Sequence, residues 1–214
     1  MVCYIVGAGQ APSQISPEEC DLLIAADGGY NAIAEMGLTP RVIMGDFDSI
    51  GELPEGGEII KFPVRKDYTD MHLCYLEGKK RGAKVFYLYG GTGGREDHTF
   101  ANYSLLLYIR EQGDFGYLID DESFSFILKE QSVILPPKCG ESISVFAFGG
   151  DVVVSIEGLE YECEDLRISV SLPIGVSNSS KDCIGKIKVA RGTALVMVRG
   201  DFENFRKFKN TLDK

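Results

Sequence analysis

Residues 22–36 decide the first half of the fold, and they read Leu-Leu-Ile-Ala-Ala-Asp-Gly-Gly-Tyr-Asn-Ala-Ile-Ala-Glu-Met. The apolar run 22–26 predicts a buried parallel strand, and the Asp27-Gly28-Gly29 turn leads into a helix through Met36. The same order recurs downstream, with strands predicted at 42–44 and 85–88 and helices at 69–81 and 97–111. Strand followed by helix, repeated, predicts a parallel sheet with right-handed crossovers.

The second half has a different period. Residues 142–145, 168–172 and 186–189 alternate polar with apolar side chains, as half-buried strands do. Pro-Pro, Gly-Gly and single Pro punctuate them, and a short helix is predicted near 202–212. We therefore predict an α/β N-terminal domain with a mostly parallel, Rossmann-like sheet (1–122), followed by an all-β C-terminal sandwich (123–214).

Composition excludes several classes of function. The formal net charge of −10 disfavours nucleic acid and anionic membranes as partners, because binding to either relies on surplus positive charge. No apolar run approaches the ~18 residues of a membrane span, and the first residues carry no basic leader, so we expect a cytoplasmic protein. The six cysteines are scattered without a C-x-x-C pair, which favours reduced core thiols over a zinc site.

Aspartates follow the predicted strands. Asp27, Asp46 and Asp97 each come shortly after a strand, with a glycine nearby. Because the carboxyl ends of strands form the ligand crevice of an open α/β sheet, these carboxylates are expected to converge there.

The segment Gly45-Asp46-Phe47-Asp48-Ser49 predicts a metal site. In an extended chain, residues two apart point the same way, so Asp46 and Asp48 can face one ion. Oxygen ligands select magnesium, manganese or calcium. A solvated acidic turn is the alternative for this segment taken alone.

Two further segments resemble the start of a helix. Either Asp67 or Thr69 is predicted to cap the helix 69–81, and capping is the favoured role for Asp67, which leaves Asp70 for a ligand or metal. The glycine-rich run from Gly90 to Gly94 allows close approach of backbone N–H groups to phosphate, and Arg95 is suited to clamp phosphate oxygens. The run lacks G-K-[ST], so it is not a Walker loop. His98 is more typical of a structural hydrogen-bonding residue than of a base.

These segments, in this order, resemble thiamine pyrophosphokinase. The resemblance rests on residues 26–29, 45–49, 66–70, 93–98 and Asn102, and on two sandwich motifs at 158–161 and 175–178. It implies transfer of the β,γ-pyrophosphoryl group of ATP to the hydroxyl of thiamine, with release of AMP. It also implies a homodimer in which thiamine lies between the α/β domain of one subunit and the sandwich of the other.

Site residues follow from the resemblance position by position. The catalytic residues, which would also hold Mg²⁺, are Asp46, Asp48, Asp70 and Asp97. The nucleotide-binding residues are Asp27, Gly28, Gly90, Gly91, Thr92, Gly93, Gly94, Arg95 and Asn102. The thiamine-binding residues are Ser177, Asn178 and Ser179.

Several points stay open at this stage. Either Asp70 or Asp97 could accept the alcohol proton. The chain has no Trp, so the residue that stacks on thiamine is not identified. A haloacid-dehalogenase-type phosphatase, from the D-x-D-x-S pattern at Asp46, and a non-catalytic binder of thiamine or nucleotide are the rival functions.

Overall fold

The computed structural model describes residues 1–10, 12–46, 56–63 and 67–212. The chain divides into two compact units, Met1–Asp121 and Glu122–Lys214. This division falls one residue before the boundary predicted from the sequence.

The first unit is α/β, as predicted. Its strands and helices are β1 Val2–Val6, β2 Leu22–Ala26, α1 Gly29–Glu35, β3 Val42–Gly45, β4 Glu58–Lys61, α2 Asp70–Lys80, β5 Val85–Tyr89, α3 Glu96–Glu111 and β6 Phe115–Ile119. The strand order is β4-β3-β2-β1-β5-β6, and every neighbouring pair is parallel. The central strands are apolar throughout and buried, as strands covered on both faces must be.

A buried carboxylate anchors the end of α2 to the start of β6. Asp114 is fully buried. Its Oδ2 accepts a hydrogen bond from Tyr75 Oη at 3.0 Å and lies 2.9 Å from Lys79 Nζ, while its Oδ1 lies 3.2 Å from Lys84 Nζ. Burial alone would raise the pKa of Asp114, but the hydrogen bonds from Lys79, Tyr75 and Lys84 leave it below its ordinary value. The network fixes the helix that begins at Asp70.

The second unit is all-β except for its last helix. Its elements are β7 Ser123–Lys129, β8 Ser132–Leu135, β9 Ser142–Ala147, β10 Val152–Glu157, β11 Cys163–Ile168, β12 Gly185–Arg191, β13 Thr193–Arg199 and α4 Phe202–Leu212. β13 pairs antiparallel with β7 and β9, and a second antiparallel sheet has the order β11-β10-β12-β8. A cluster of aromatic rings packs α4 onto β7 through Phe124, Phe126, Phe202 and Phe205. The predicted fold class is confirmed.

The predicted strand 168–172 is wrong beyond its first residue. β11 ends at Ile168, which pairs with Val152, the first residue of β10, so the residues that follow have no partner on β10. They turn instead, with Leu172 N donating to Ser169 O. The apolar side chains of Val170 and Leu172 are consequently exposed.

The cysteines are all free, as predicted, but only half of them are core residues. Cys3, Cys74 and Cys139 are buried, whereas Cys20 and Cys183 are exposed and Cys163 is half-buried. Burial raises the pKa of Cys139 to about 12. No helix among the described residues is long and apolar enough to cross a membrane.

Candidate active site

A crevice of about 410 Å³ opens in the first unit where the chain changes direction across the sheet. The chain runs from β1 to β2 on one side, and β5 pairs with β1 on the other, so the carboxyl ends of β1 and β5 meet at the topological switch point. The described lining residues are Gly7, Ala8, Gly9, Ala26, Asp27, Thr69, Asp70, Met71, Gly90, Gly91, Thr92, Gly94, Arg95, His98, Thr99 and Asn102.

The floor of the crevice consists of two backbone loops bonded to each other. Gly9 N donates to Gly90 O at 2.9 Å, and Gln10 N donates to Thr92 O at the same distance. A Cβ on Gly9 would lie 2.6 Å from both of those carbonyl oxygens, and one on Gly90, whose φ is +63°, would collide with the Gly7 carbonyl. Only glycine permits this close approach of the two loops.

Asn102 supports the floor from beneath. It is 6% exposed, and its Nδ2 donates to Gly91 O at 2.8 Å. This bond fixes the glycine loop, which would otherwise bury an unpaired carbonyl. Asn102 lines the crevice as predicted, and its amide is already used in shaping it.

Two aspartates, Asp27 and Asp46, follow the ends of the adjacent strands β2 and β3. Asp27 has a left-handed φ of 48°, and its Oδ1 lies 3.0 Å from the position that a Cβ on Gly45 would occupy. The Asp27 carboxylate therefore lies over Gly45, next to half-buried Asp46. Aspartate is one of the few residues other than glycine that tolerates the left-handed region, which lets the β2 turn direct this side chain toward the end of β3.

Asp70 enters the crevice because Thr69, not Asp67, caps α2. Thr69 Oγ1 accepts a hydrogen bond from His72 N at 3.3 Å. Of the two residues predicted as the cap, Thr69 is the one that makes the capping bond. The first carboxylate of the helix, Asp70, is left half-buried among the crevice residues.

Asp97 was expected in the crevice with the other aspartates, but it lies outside the residues that line the crevice. Arg95 Nη2 is 2.6 Å from Asp97 Oδ2, and Arg95 Nε donates to Asp97 Oδ1 at 3.1 Å, an exposed two-point ion pair. The hydrogen bonds from Arg95 hold the pKa of Asp97 below its ordinary value. Arg95 lines the crevice, but Asp97 lines a neighbouring pocket.

That neighbouring pocket, about 480 Å³, is called the aromatic pocket below. Its described lining residues come from the start of α2 and one face of α3, and they are Asp67, Tyr68, Thr69, His72, Asp97, Phe100, Ala101, Ser104, Leu105 and Tyr108. His72 packs between Tyr68 and Tyr108, with ring centroids 4.6 and 4.7 Å away. Nothing in the sequence pattern marked this pocket, because its rings come from two helices that are distant along the chain.

The expected metal ligands are only partly placed. Asp48 lies outside the described residues. Within the described part of the chain, no group of three or more His, Cys, Asp or Glu side chains could hold a metal ion. Asp27, Asp46 and Asp70 nonetheless supply carboxylate oxygens, the donors that Mg²⁺ prefers, so the residues fit this ion by chemistry.

In the second unit, Asn178 is committed to the fold. It is 7% exposed, its Oδ1 accepts from Tyr161 N and Ser179 N at 2.9 Å each, and its Nδ2 donates to Tyr161 O at 2.7 Å. It thereby ties the 158–163 turn to the 175–180 segment. Ser177 is exposed with a left-handed φ of 60°, and Ser179 is half-buried.

The predicted nucleotide residues gather more closely than the catalytic ones. Those that line the crevice are Asp27, Gly90, Gly91, Thr92, Gly94, Arg95 and Asn102. Gly28 caps α1, where its Cβ position would lie 3.0 Å from Ala8 Cβ, and Gly93 packs on Gln10. The crevice also includes Thr69, Met71 and Thr99, which sequence reasoning did not identify.

The fold and crevice define an α/β protein that binds its ligand at a topological switch point and continues into a β-sandwich. Residues 15–114 match the family model described as thiamin pyrophosphokinase, catalytic domain. Over this stretch the chain is similar to the catalytic domain of the thiamine pyrophosphokinases, and the comparisons identify it as an enzyme.

Individual relatives agree. The thiamine pyrophosphokinase of Bacillus subtilis (strain 168) is 27% identical over 191 residues, 85% of this chain and 88% of the relative. A thiamin pyrophosphokinase of Caenorhabditis elegans is 27% identical over 72% of this chain and 70% of its own length. The crystal structure of the Bacillus subtilis enzyme superposes with a TM-score of 0.81 at 23% identity, covering 94% of this chain and all of that one, which shows a common fold.

Proposed function

We propose that this enzyme transfers the pyrophosphoryl group of ATP to thiamine, giving thiamine diphosphate and AMP. The observation that supports this most is the crevice itself, in which a glycine backbone floor, Arg95 and the carboxylates of Asp27 and Asp70 surround one space in a chain that matches the family model. Glycine loops and an arginine suit a polyphosphate, and carboxylates suit the divalent cation that accompanies it.

Each group has a role in the proposed reaction. The floor loops and Arg95 hold the polyphosphate so that its β-phosphorus is in line with the thiamine hydroxyl. The hydroxyl oxygen bonds to that phosphorus as the bond to the α–β bridging oxygen breaks, and AMP departs with that oxygen. Such transfers need little beyond positioning and charge neutralisation.

Asp70 is the favoured acceptor of the hydroxyl proton. It lines the crevice, whereas Asp97 is paired with Arg95 and lines the aromatic pocket. Asp46, Asp48 and Asp70 would hold Mg²⁺, which would neutralise the polyphosphate charge that a protein of net charge −10 otherwise repels. Asp97 would contribute by orienting Arg95.

A direct assay tests this function. Protein is mixed with ATP and Mg²⁺, and AMP and thiamine diphosphate are measured by chromatography with and without thiamine. AMP should appear only with thiamine, should vanish with EDTA and should return with Mg²⁺ or Mn²⁺. Release of inorganic phosphate without AMP would instead support a phosphatase, and full turnover in chelator would refute the metal assignment.

We further propose a homodimer whose sandwich completes the partner's site. The second unit exposes apolar side chains on segments that are close along the chain, as a surface that contacts a second subunit would. They are Tyr161, Leu166, Val170, Leu172, Ile174, Val176 and Ile184. Ser177 and Ser179 lie in the same stretch of chain and would contact thiamine, with Asn178 holding them in place.

Subunit exchange tests the shared site. Asp70→Asn and Asn178→Ala, each inactive alone, are mixed under conditions of proven exchange. A mixed dimer contains one site with both lesions and one with neither, so up to about half of its sites regain activity. No recovery would place the whole site within one subunit.

A further inference from the structure

The aromatic pocket adjoins the crevice, and two contacts join them. Thr69 lines both spaces, and Arg95 of the crevice forms its ion pair with Asp97 of the pocket. A ligand with a reactive arm in the crevice can therefore place a ring between α2 and α3.

The walls of this pocket are rings that remain exposed. Phe100 is 65% exposed and Tyr68 is 50% exposed, although large aromatic side chains are normally buried. The His72 ring lies between Tyr68 and Tyr108, and its Nε2 is buried without a hydrogen-bond partner among the described residues. These surfaces are suited to stack on a planar ring.

The charge at the pocket is negative. Asp67 and Asp97 are the acidic residues among the described lining residues, which include no Lys or Arg. Because Asp97 is paired with Arg95 of the crevice, Asp67 supplies the excess negative charge. Aromatic faces in a pocket with excess negative charge attract a cation and disfavour an anion or a phosphate.

We propose that the aromatic pocket binds the positively charged heteroaromatic ring of the acceptor substrate and selects a cationic acceptor over a neutral one. This inference rests on the proposed function, because it assigns the thiazolium ring of thiamine to Tyr68, His72, Phe100 and Tyr108. It names side chains of the α/β unit for a substrate site whose individually predicted residues, Ser177, Asn178 and Ser179, all lie in the sandwich.

The test compares Phe100→Ala and Phe100→Leu with Phe115→Leu, an exposed aromatic of the same unit outside the pocket. Kd for thiamine is measured by calorimetry without ATP, and KM is measured for thiamine and for ATP. Both Phe100 variants should weaken thiamine binding roughly 3- to 30-fold, as loss of a cation–π contact does, with the KM for ATP and kcat changed less than twofold. Phe100→Leu keeps the apolar volume, so it separates loss of the ring from loss of packing, and circular dichroism verifies folding.

An uncharged thiamine analogue, with carbon in place of the thiazolium nitrogen, tests charge selectivity. Wild-type protein should bind thiamine more tightly than this analogue, and Asp67→Asn and Phe100→Leu should each reduce that preference.

Unchanged thiamine binding in both Phe100 variants overturns the inference, as does a rise in the KM for ATP alone, which would assign the pocket to the nucleotide. Dissociation of a dimer without loss of thiamine affinity would assign it to a second copy of the chain. If wild-type protein forms no thiamine diphosphate, the proposed function fails instead, and that result is read before any variant is made.

Discussion

Two buried asparagines, Asn102 beneath the crevice and Asn178 in the sandwich, serve the same purpose in different surroundings. Each uses its amide to hold a neighbouring backbone segment. Around Asn102, parallel strands bring loops from distant parts of the chain to one edge, so other residues supply the contacts to ligand. Around Asn178, the amide ties two turns of the same unit together. A buried polar residue in a motif can therefore position a site without touching the substrate.

The largest effect is expected for Asp70→Asn, which changes the first residue of α2 in the crevice above Asn102. Loss of this charge should lower kcat by ~10² or more, as expected for removal of transition-state electrostatics. Steady-state kinetics measure the effect, and Asp67→Asn, a neighbouring carboxylate outside the crevice, should retain kcat within about threefold. Equal losses in the two variants would show a general effect of acidic charge rather than a role for Asp70.

Asp114→Ala tests the buried network that holds α2, the helix that begins at Asp70. It should lower the free energy of unfolding by about 2–3 kcal/mol, because Tyr75 loses its acceptor and Lys79 its partner. Denaturant titration measures this loss. The loss should not exceed this range, because Lys79 and Lys84 are partly exposed and water can solvate their ammonium groups in the variant.

The same carboxylate predicts a pH dependence. The pKa of Asp114 lies below its ordinary value of 3.8, so its stabilisation is complete above that pH and is lost as pH falls through the folded-state pKa. Below about pH 4, the Tm of the wild type should therefore fall more steeply with decreasing pH than the Tm of Asp114→Ala. Parallel curves would mean that Asp114 does not contribute to acid stability.

Asn178→Ala and Asn178→Asp test whether the Asn178 amide stabilises the sandwich or contacts substrate. Alanine removes three hydrogen bonds in a buried position and should cost about 1–3 kcal/mol of stability. Aspartate keeps the acceptor but sets a buried carboxylate oxygen against Tyr161 O, so its cost in denaturant titration should equal or exceed that of alanine. If both variants keep wild-type stability yet lose thiamine affinity, Asn178 contacts the substrate directly.

The smallest expected effect separates two candidate helix caps. Thr69→Ala should lower stability by about 1 kcal/mol, and Asp67→Ala by less than about 0.5 kcal/mol, since Thr69 makes the capping bond. The reverse order would restore Asp67 as the cap.

The sequence predicted elements better than contacts. Helices α1, α2 and α3 agree with prediction within one residue at each end, because glycine and threonine signals bound them. The alternation at 168–172 misled because a strand also needs a partner, and β10 begins opposite Ile168. The rule that residues after strands converge placed Asp27 well and Asp97 poorly, because the helix start turns Asp97 toward Arg95 and away from the crevice.

The interlocked floor of the crevice also limits how this enzyme can vary. Gly9 and Gly90 admit no side chain, and the carbonyls of Gly90 and Thr92 are tied to the facing loop. New substrate preferences, whether reached in evolution or in the laboratory, should therefore arise through residues that present side chains at the rim. A library that varies Tyr68, Phe100 and Ser104 and leaves the glycines untouched should keep most of its members folded.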